Sequence, residues 1–185
     1  MDWDRFDKAL FRCLNDIEIV KAQRTAHQVL RKTVSNSRDV RSGFPGLVNA
    51  AFSFSTQGVL ALILEKQTTK GRSGFWWVHR EALNHVSGYS PEQEDIDFLN
   101  EFSSAIKVLR DKSLFHISEI TLHDPKTFRQ NTGLTYRKMD KAISVSLATM
   151  REILKLRRGS TTWSSGTLDV ATLHYDGSDI PSIFD

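Results

Sequence analysis

Five residues within seven positions, Arg110, Asp111, Lys112, Ser113 and His116, gather a guanidinium, a carboxylate, an ammonium, a hydroxyl and an imidazole. An imidazole that titrates near neutral pH can take a proton from a ribose 2′-hydroxyl or return one to a leaving oxygen. A guanidinium can hold the charge that develops on phosphorus. Such a set suits phosphodiester transfer in RNA and requires no metal or other cofactor. Asp111 would orient a neighbouring side chain or hydroxyl, and Lys112 would hold a phosphate.

Helical geometry constrains how these groups act. Arg110 and His116 are six residues apart, which on an ideal helix separates them by about 9 Å along the axis and roughly 120° around it. They do not share a face. Ser113 lies between them, so the three form a ridge at spacings of three that winds across the helix. A surface lying across the ridge would meet its whole length, and a second copy of the same helix, paired by a twofold axis, would bring two arginines and two histidines into one cleft.

The helix that positions the cluster is predicted from Pro91 to about Ile120. Ser90-Pro91-Glu92-Gln93 supplies a serine cap, a proline at the first helical position, an acid in the first turn and a glutamine placed to close a capping box. Ile96, Leu99, Ser103 and Ile106 recur at spacings of three and four, with Phe98, Phe102 and Leu109 beside them, so the helix is anchored in a core before it presents its charges. Asp124-Pro125 ends this segment and starts a short helix through Arg129. From Thr135, the residues Met139, Ile143, Leu147, Met150 and Leu154 mark a final long helix, stopped by Gly159 with Lys155, Arg157 and Arg158 in its last turn.

Upstream, Trp3, Phe6, Leu10, Cys13, Ile17 and Val20 mark a long amphipathic helix from residue 2 to about 32. A polar loop follows, ending near Pro45. The 23 residues from Ser42 to Leu64 carry no charge, long enough in principle to span a bilayer. Asn49, Ser53, Ser55, Thr56 and Gln57 interrupt the run, each costly in lipid, so it is read as a central helix surrounded by others, its hydroxyls bonded to the preceding turn. Lys70 and Arg72 lie in a basic loop without the glycine and lysine spacing of a phosphate-cradling loop, and they offer contacts to an RNA backbone. Phe75-Trp76-Trp77-Val78 opens a short helix to about Val86, in which one tryptophan is expected to pack and the other to stand partly exposed.

The chain has 185 residues, 39% of them hydrophobic, enough for one sizeable core. An all-α bundle of about five helices is expected over residues 1–158, followed by an acidic tail rich in Ser, Gly and Asp over 159–185. One cysteine, Cys13, makes no internal disulfide, and the N-terminus lacks the order of a secretory signal, so a cytoplasmic location is expected. The net charge of +3 hides an asymmetry: all 25 basic residues precede Gly159, whereas Asp169, Asp176, Asp179 and Asp185 follow it, leaving 25 bases against 18 acids, or +7, in residues 1–158. A basic body suits a polyanion such as RNA.

Arg110, the polar residue directly after it and His116 resemble the R-X4-6-H motif of the HEPN superfamily (higher eukaryotes and prokaryotes nucleotide-binding). The helical setting over roughly residues 2–158, with the motif on a late helix and one closing helix after it, is similar to HEPN proteins of the abortive-infection type. The resemblance implies a homodimer with a composite cleft, metal-independent endoribonuclease activity, and use as a toxin or antiphage effector with an antitoxin or other regulatory partner. By position, Arg110 would stabilise the phosphorane, His116 would be the acid or base and Asp111 would take the polar motif position. Lys112, Ser113, Lys70 and Arg72 are the accompanying RNA contacts. Asp111 departs from the asparagine common there, and a carboxylate both orients an arginine and repels phosphate.

Two other readings stay open. Arg110, Asp111 and Lys112 can be a solvated helix face, with His116 satisfied near a helix end, in a catalytically inactive RNA-binding or protein-interaction module. A metal reading uses His116, Glu119 and His123, one face if the helix persists, but the uncharged segment 42–64 offers no facing carboxylate. His27, His79, His85 and His174 have no partner at ligand spacing and read as structural or surface residues.

Overall fold

The computed structural model describes residues 1–36, 44–66, 74–111 and 131–159, with side chains left out at 33–36 and 44–50. Five helices lie in these residues: α1 Trp3–Asn36, α2 Phe44–Ile63, α3 Phe75–His85, α4 Gln93–Leu109 and α5 Tyr136–Arg158. The architecture is an all-helical bundle, with no strand among the described residues.

α1 is the hub of the bundle. It packs against α2 and α5 most extensively and also touches α3, while α4 lies against α5 and α2. Its 34 residues extend about 50 Å, long enough to meet several partners along its length. Phe6, Leu10, Cys13, Ile17 and Val20 form the apolar row expected from their spacing and are all buried. Trp3, the first of that row, stays partly exposed and packs edge-on against Phe6. α2, expected at the centre because it carries no charge, instead leaves Phe54 and Leu62 about half exposed. Lack of charge does not decide centrality here, because α1 buries its charges as ion pairs.

Those pairs run as a ladder between α1 and α5. Asp7 accepts from Arg157 and Arg158, Glu18 accepts from Arg151, and Arg24 donates to both carboxylate oxygens of Asp140. As the α1 number rises the α5 number falls, so the helices are antiparallel. The signs fix the register too: α1 gives acid, acid, base and α5 answers base, base, acid. Sliding one helix by a turn would break every rung and leave charges buried without partners, a cost of several kcal/mol per group.

α5 follows its sequence closely. The Thr135 side chain accepts from the Lys138 amide at 3.2 Å, and Gly159 ends the helix in the left-handed region at φ 71° with its amide on the Lys155 carbonyl. This cap and stop are the ones its residues specify. Met139, Ile143, Leu147, Met150 and Leu154 are all buried.

α4 departs from its expected start. Ser90 and Pro91 stay outside the helix, and Glu92, in extended conformation with no side-chain cap bond, precedes Gln93. The reason lies one residue earlier. Tyr89 is buried with its hydroxyl 2.8 Å from His79 Nδ1, and the chain reaches that position through Gly88 at φ 80°. Drawing Tyr89 into the core keeps the backbone extended past Pro91, so the capping box does not form and Gln93 instead donates to Asp97 at 2.9 Å.

Two smaller expectations also resolve. Trp76 and Trp77 are both half-buried against the core, one donating its indole N–H to the Leu64 carbonyl at 2.8 Å and the other lying beneath Arg5. In α2, Gln57 donates to Ser53, whereas the buried Thr56 hydroxyl has no partner among the described residues. No described helix is long and apolar enough to cross a membrane. The expected helix from Lys112 to Ile120, the short helix through Arg129 and the tail after Gly159 lie outside the described residues.

Candidate functional site

Arg110 sits at the C-terminal end of α4, where Ile96, Leu99, Phe102, Ile106 and Leu109 turn one face of the helix into the core. Its backbone stays helical at φ −59° and ψ −53°, and its amide bonds to the carbonyls of Ile106 and Lys107. The side chain therefore leaves from a fixed point. It ends between two carboxylates. Arg110 Nη2 donates to Glu65 Oε1 at 3.1 Å, Nη1 lies 3.0 Å from Glu65 Oε2, and Nε donates to Asp111 Oδ1 at 2.8 Å.

Glu65 is placed by its neighbours. It follows the last turn of α2, where Leu60 and Leu64 are buried and the Leu64 amide bonds back to the Leu60 carbonyl. Trp76 of α3 pins the same residue by donating to the Leu64 carbonyl, and the Lys66 ammonium lies 5.7 Å from the Trp76 ring. The Glu65 carboxylate is thus carried to the end of α4 by the packing of α2 and α3.

Electrostatically, the cluster holds one cation between two anions. The Arg110 side chain is only 12% exposed, and charge-assisted bonds in such a setting are stronger than in water. The hydrogen bond from Glu65 holds the guanidinium pKa above its ordinary value, burial opposes this, and Asp111 adds to the rise. Every guanidinium nitrogen faces a carboxylate, so a phosphate reaching Arg110 must exchange with Glu65 or Asp111. Arg110 is oriented, and it is also occupied.

Of the sequence-predicted residues, Arg110 and Asp111 are brought together. Their arrangement fits the orienting role expected of Asp111 and replaces the picture of a solvated face for Arg110. Lys112, Ser113, His116, Lys70 and Arg72 lie outside the described residues, as do Glu119 and His123 of the metal reading. No cluster of three potential metal ligands occurs among the described residues. Glu65 was not singled out in sequence, because it is 45 positions from Arg110. One signal pointed to it: it is the first charge after the uncharged run 42–64.

The remaining described histidines are structural or surface residues. His79 is buried on Tyr89, His85 is exposed beside Glu81, and His27 is buried where α1 meets α5. Arg24 Nη1 lies 3.1 Å from His27 Nδ1. Because a guanidinium only donates, Nδ1 accepts and the proton of the neutral ring sits on Nε2. Burial, with Arg24 and Arg31 adding, pushes the His27 pKa down to about 4, against a small opposing pull from Asp140. Compared with family models, curated proteins and solved structures, the chain matches none.

Proposed function

We propose that this chain is a metal-independent endoribonuclease of HEPN type, acting as a toxin or antiphage effector in a cleft shared by two protomers and restrained by an antitoxin or other regulatory partner. In the proposed step His116 accepts the 2′-hydroxyl proton, the 2′-oxygen bonds to phosphorus, and the bond to the 5′-oxygen breaks as that oxygen gains a proton. The products are a 2′,3′-cyclic phosphate and a 5′-hydroxyl. Arg110 stabilises the charge on the non-bridging oxygens.

The observation that carries this reading is the fixed guanidinium of Arg110, directed before any substrate arrives by Glu65 and by the polar residue that follows it in the motif. Pre-orientation of a charged donor is what transition-state stabilisation demands. RNA binding then requires the phosphate to take over one carboxylate's place, which the strongly basic body favours over a neutral ligand.

A second reading, a catalytically inactive RNA-binding or protein-interaction module, is favoured by the same clamp: two carboxylates on one guanidinium are also what a purely structural arginine shows. Incubation of the full chain with a single-stranded RNA separates the two. Cleavage in the presence of a chelator, lost in His116→Ala, with cyclic phosphate ends and a dimer by sedimentation, supports the enzyme. RNA binding with a steep salt dependence and no cleavage selects the module.

A further inference from the structure

α1 and α5 do not close completely over their ion-pair ladder. Between them lies a cleft of about 360 Å³, within the range of small-ligand sites. Arg110 and Glu65 do not line it, so it is separate from the candidate site above. α1 contributes positions 21, 24, 25 and 28, and α5 contributes a stripe from 140 to 151. These are single faces of the two helices at spacings of three and four.

The cleft is chemically two-ended. At one end the Lys21 ammonium and the Arg151 guanidinium, both half-exposed, share the single buried carboxylate of Glu18. Two cations against one anion leave a net positive end with N–H groups facing the cleft. At the other end Asp140, 40% exposed, receives Arg24 and Gln28. Its charge is matched by Arg24, and its exposed edge remains a hydrogen-bond acceptor. Between the ends the wall is apolar, formed by Ile143, Leu147 and Ala148. Lys21 and Gln28 are seven positions apart on α1, so the two ends are roughly 10 Å apart.

We infer that this cleft binds a nucleotide-sized organic phosphate, with its anionic group between Lys21 and Arg151, its flat apolar body against Ile143 and Leu147, and a donor group on Asp140. A free phosphate would fill one end only and forgo the apolar wall. An uncharged nucleoside would forgo the cationic end. A nucleoside monophosphate with an exocyclic amine meets all three in one molecule of the right length.

The test is calorimetric titration of the full chain with adenosine 5′-monophosphate, adenosine and inorganic phosphate, each alone. The monophosphate is expected to bind with a Kd below about 1 mM, and adenosine and phosphate at least about tenfold more weakly. Ser144 is exposed on the α5 wall, and Ser144→Trp fills the cleft from outside the core. That variant should lose about tenfold or more in affinity while keeping its thermal midpoint. Ala148→Phe, also from an exposed position, should do the same if the first variant does not fold. Lys21→Gln should weaken the monophosphate severalfold and leave adenosine unchanged. Absence of monophosphate binding at several mM, affinity unchanged in a folded cleft-filling variant, or phosphate binding as tightly as the monophosphate would each overturn the proposal. So would binding of an RNA strand at this cleft with none of the mononucleotide.

Discussion

Glu65 and Arg110 meet through both carboxylate oxygens, Oε1 at 3.1 Å from Nη2 and Oε2 at 3.0 Å from Nη1. This two-point contact joins the end of α2 to the end of α4, elements that otherwise share few contacts. It therefore carries two loads. It ties the helices together, and it sets how readily Arg110 can accept any other anion.

Glu65→Gln separates the two. The amide keeps the shape and one acceptor oxygen but removes the charge that competes with phosphate. Stability should fall by about 1 kcal/mol, the scale of one partly buried charge-assisted bond. If Arg110 contacts RNA, affinity should rise severalfold at low salt. Urea denaturation gives the first quantity and a fluorescent RNA titration the second. Unchanged RNA affinity together with reduced stability would assign the clamp to structure alone.

The Glu18 and Arg151 rung tests the ladder. Glu18 is 2% exposed, so Arg151→Ala leaves a buried carboxylate whose nearest remaining cation is Lys21 at 3.9 Å. A loss of roughly 3 kcal/mol is expected. Replacing both partners, as in Glu18→Leu with Arg151→Leu, removes the stranded charge and should recover most of that loss. A double-mutant cycle in urea measures the coupling, and a double variant as unstable as Arg151→Ala would contradict the account.

The parts of the fold that were legible in sequence are those whose causes are local. α5 has its cap at Thr135, its stop at Gly159 and its core row at spacings of three and four, all within one stretch of chain. Thr135→Ala should accordingly cost about 1 kcal/mol, measured as a shift in the denaturation midpoint. The start of α4 was misjudged because its cause is tertiary: Ser90-Pro91 has good capping chemistry, but Tyr89 is held on His79. The ladder was hidden for the same reason, its partners being 116 to 151 positions apart. Charges that looked solvated on α1 were buried because α5 brought their complements. At the candidate site, Arg110 and Asp111 were visible as neighbours, whereas Glu65 became one only through the packing of α2 against α4.

His27 makes stability depend on pH in a defined window. The ring is 1% exposed, its Nδ1 accepts from Arg24, and its Nε2 has no partner among the described residues. Protonation would place a third positive charge beside Arg24 and Arg31, with Asp140 the counter-charge facing it, and would end the acceptor role of Nδ1. The folded pKa of about 4 lies below the ordinary 6.5, so the folded state binds this proton less readily than the unfolded chain does. The contribution of neutral His27 is therefore complete above pH 6.5 and is lost as pH falls from 6.5 toward 4. That shift corresponds to about 3 kcal/mol. Urea midpoints measured across this range should fall with acidification in the wild type, and His27→Gln, which cannot titrate, should show a shallower fall. Carboxylates of the ladder contribute to the slope in both proteins, so the difference between the two curves isolates His27. Parallel curves would show that the imidazole is protonated in the fold.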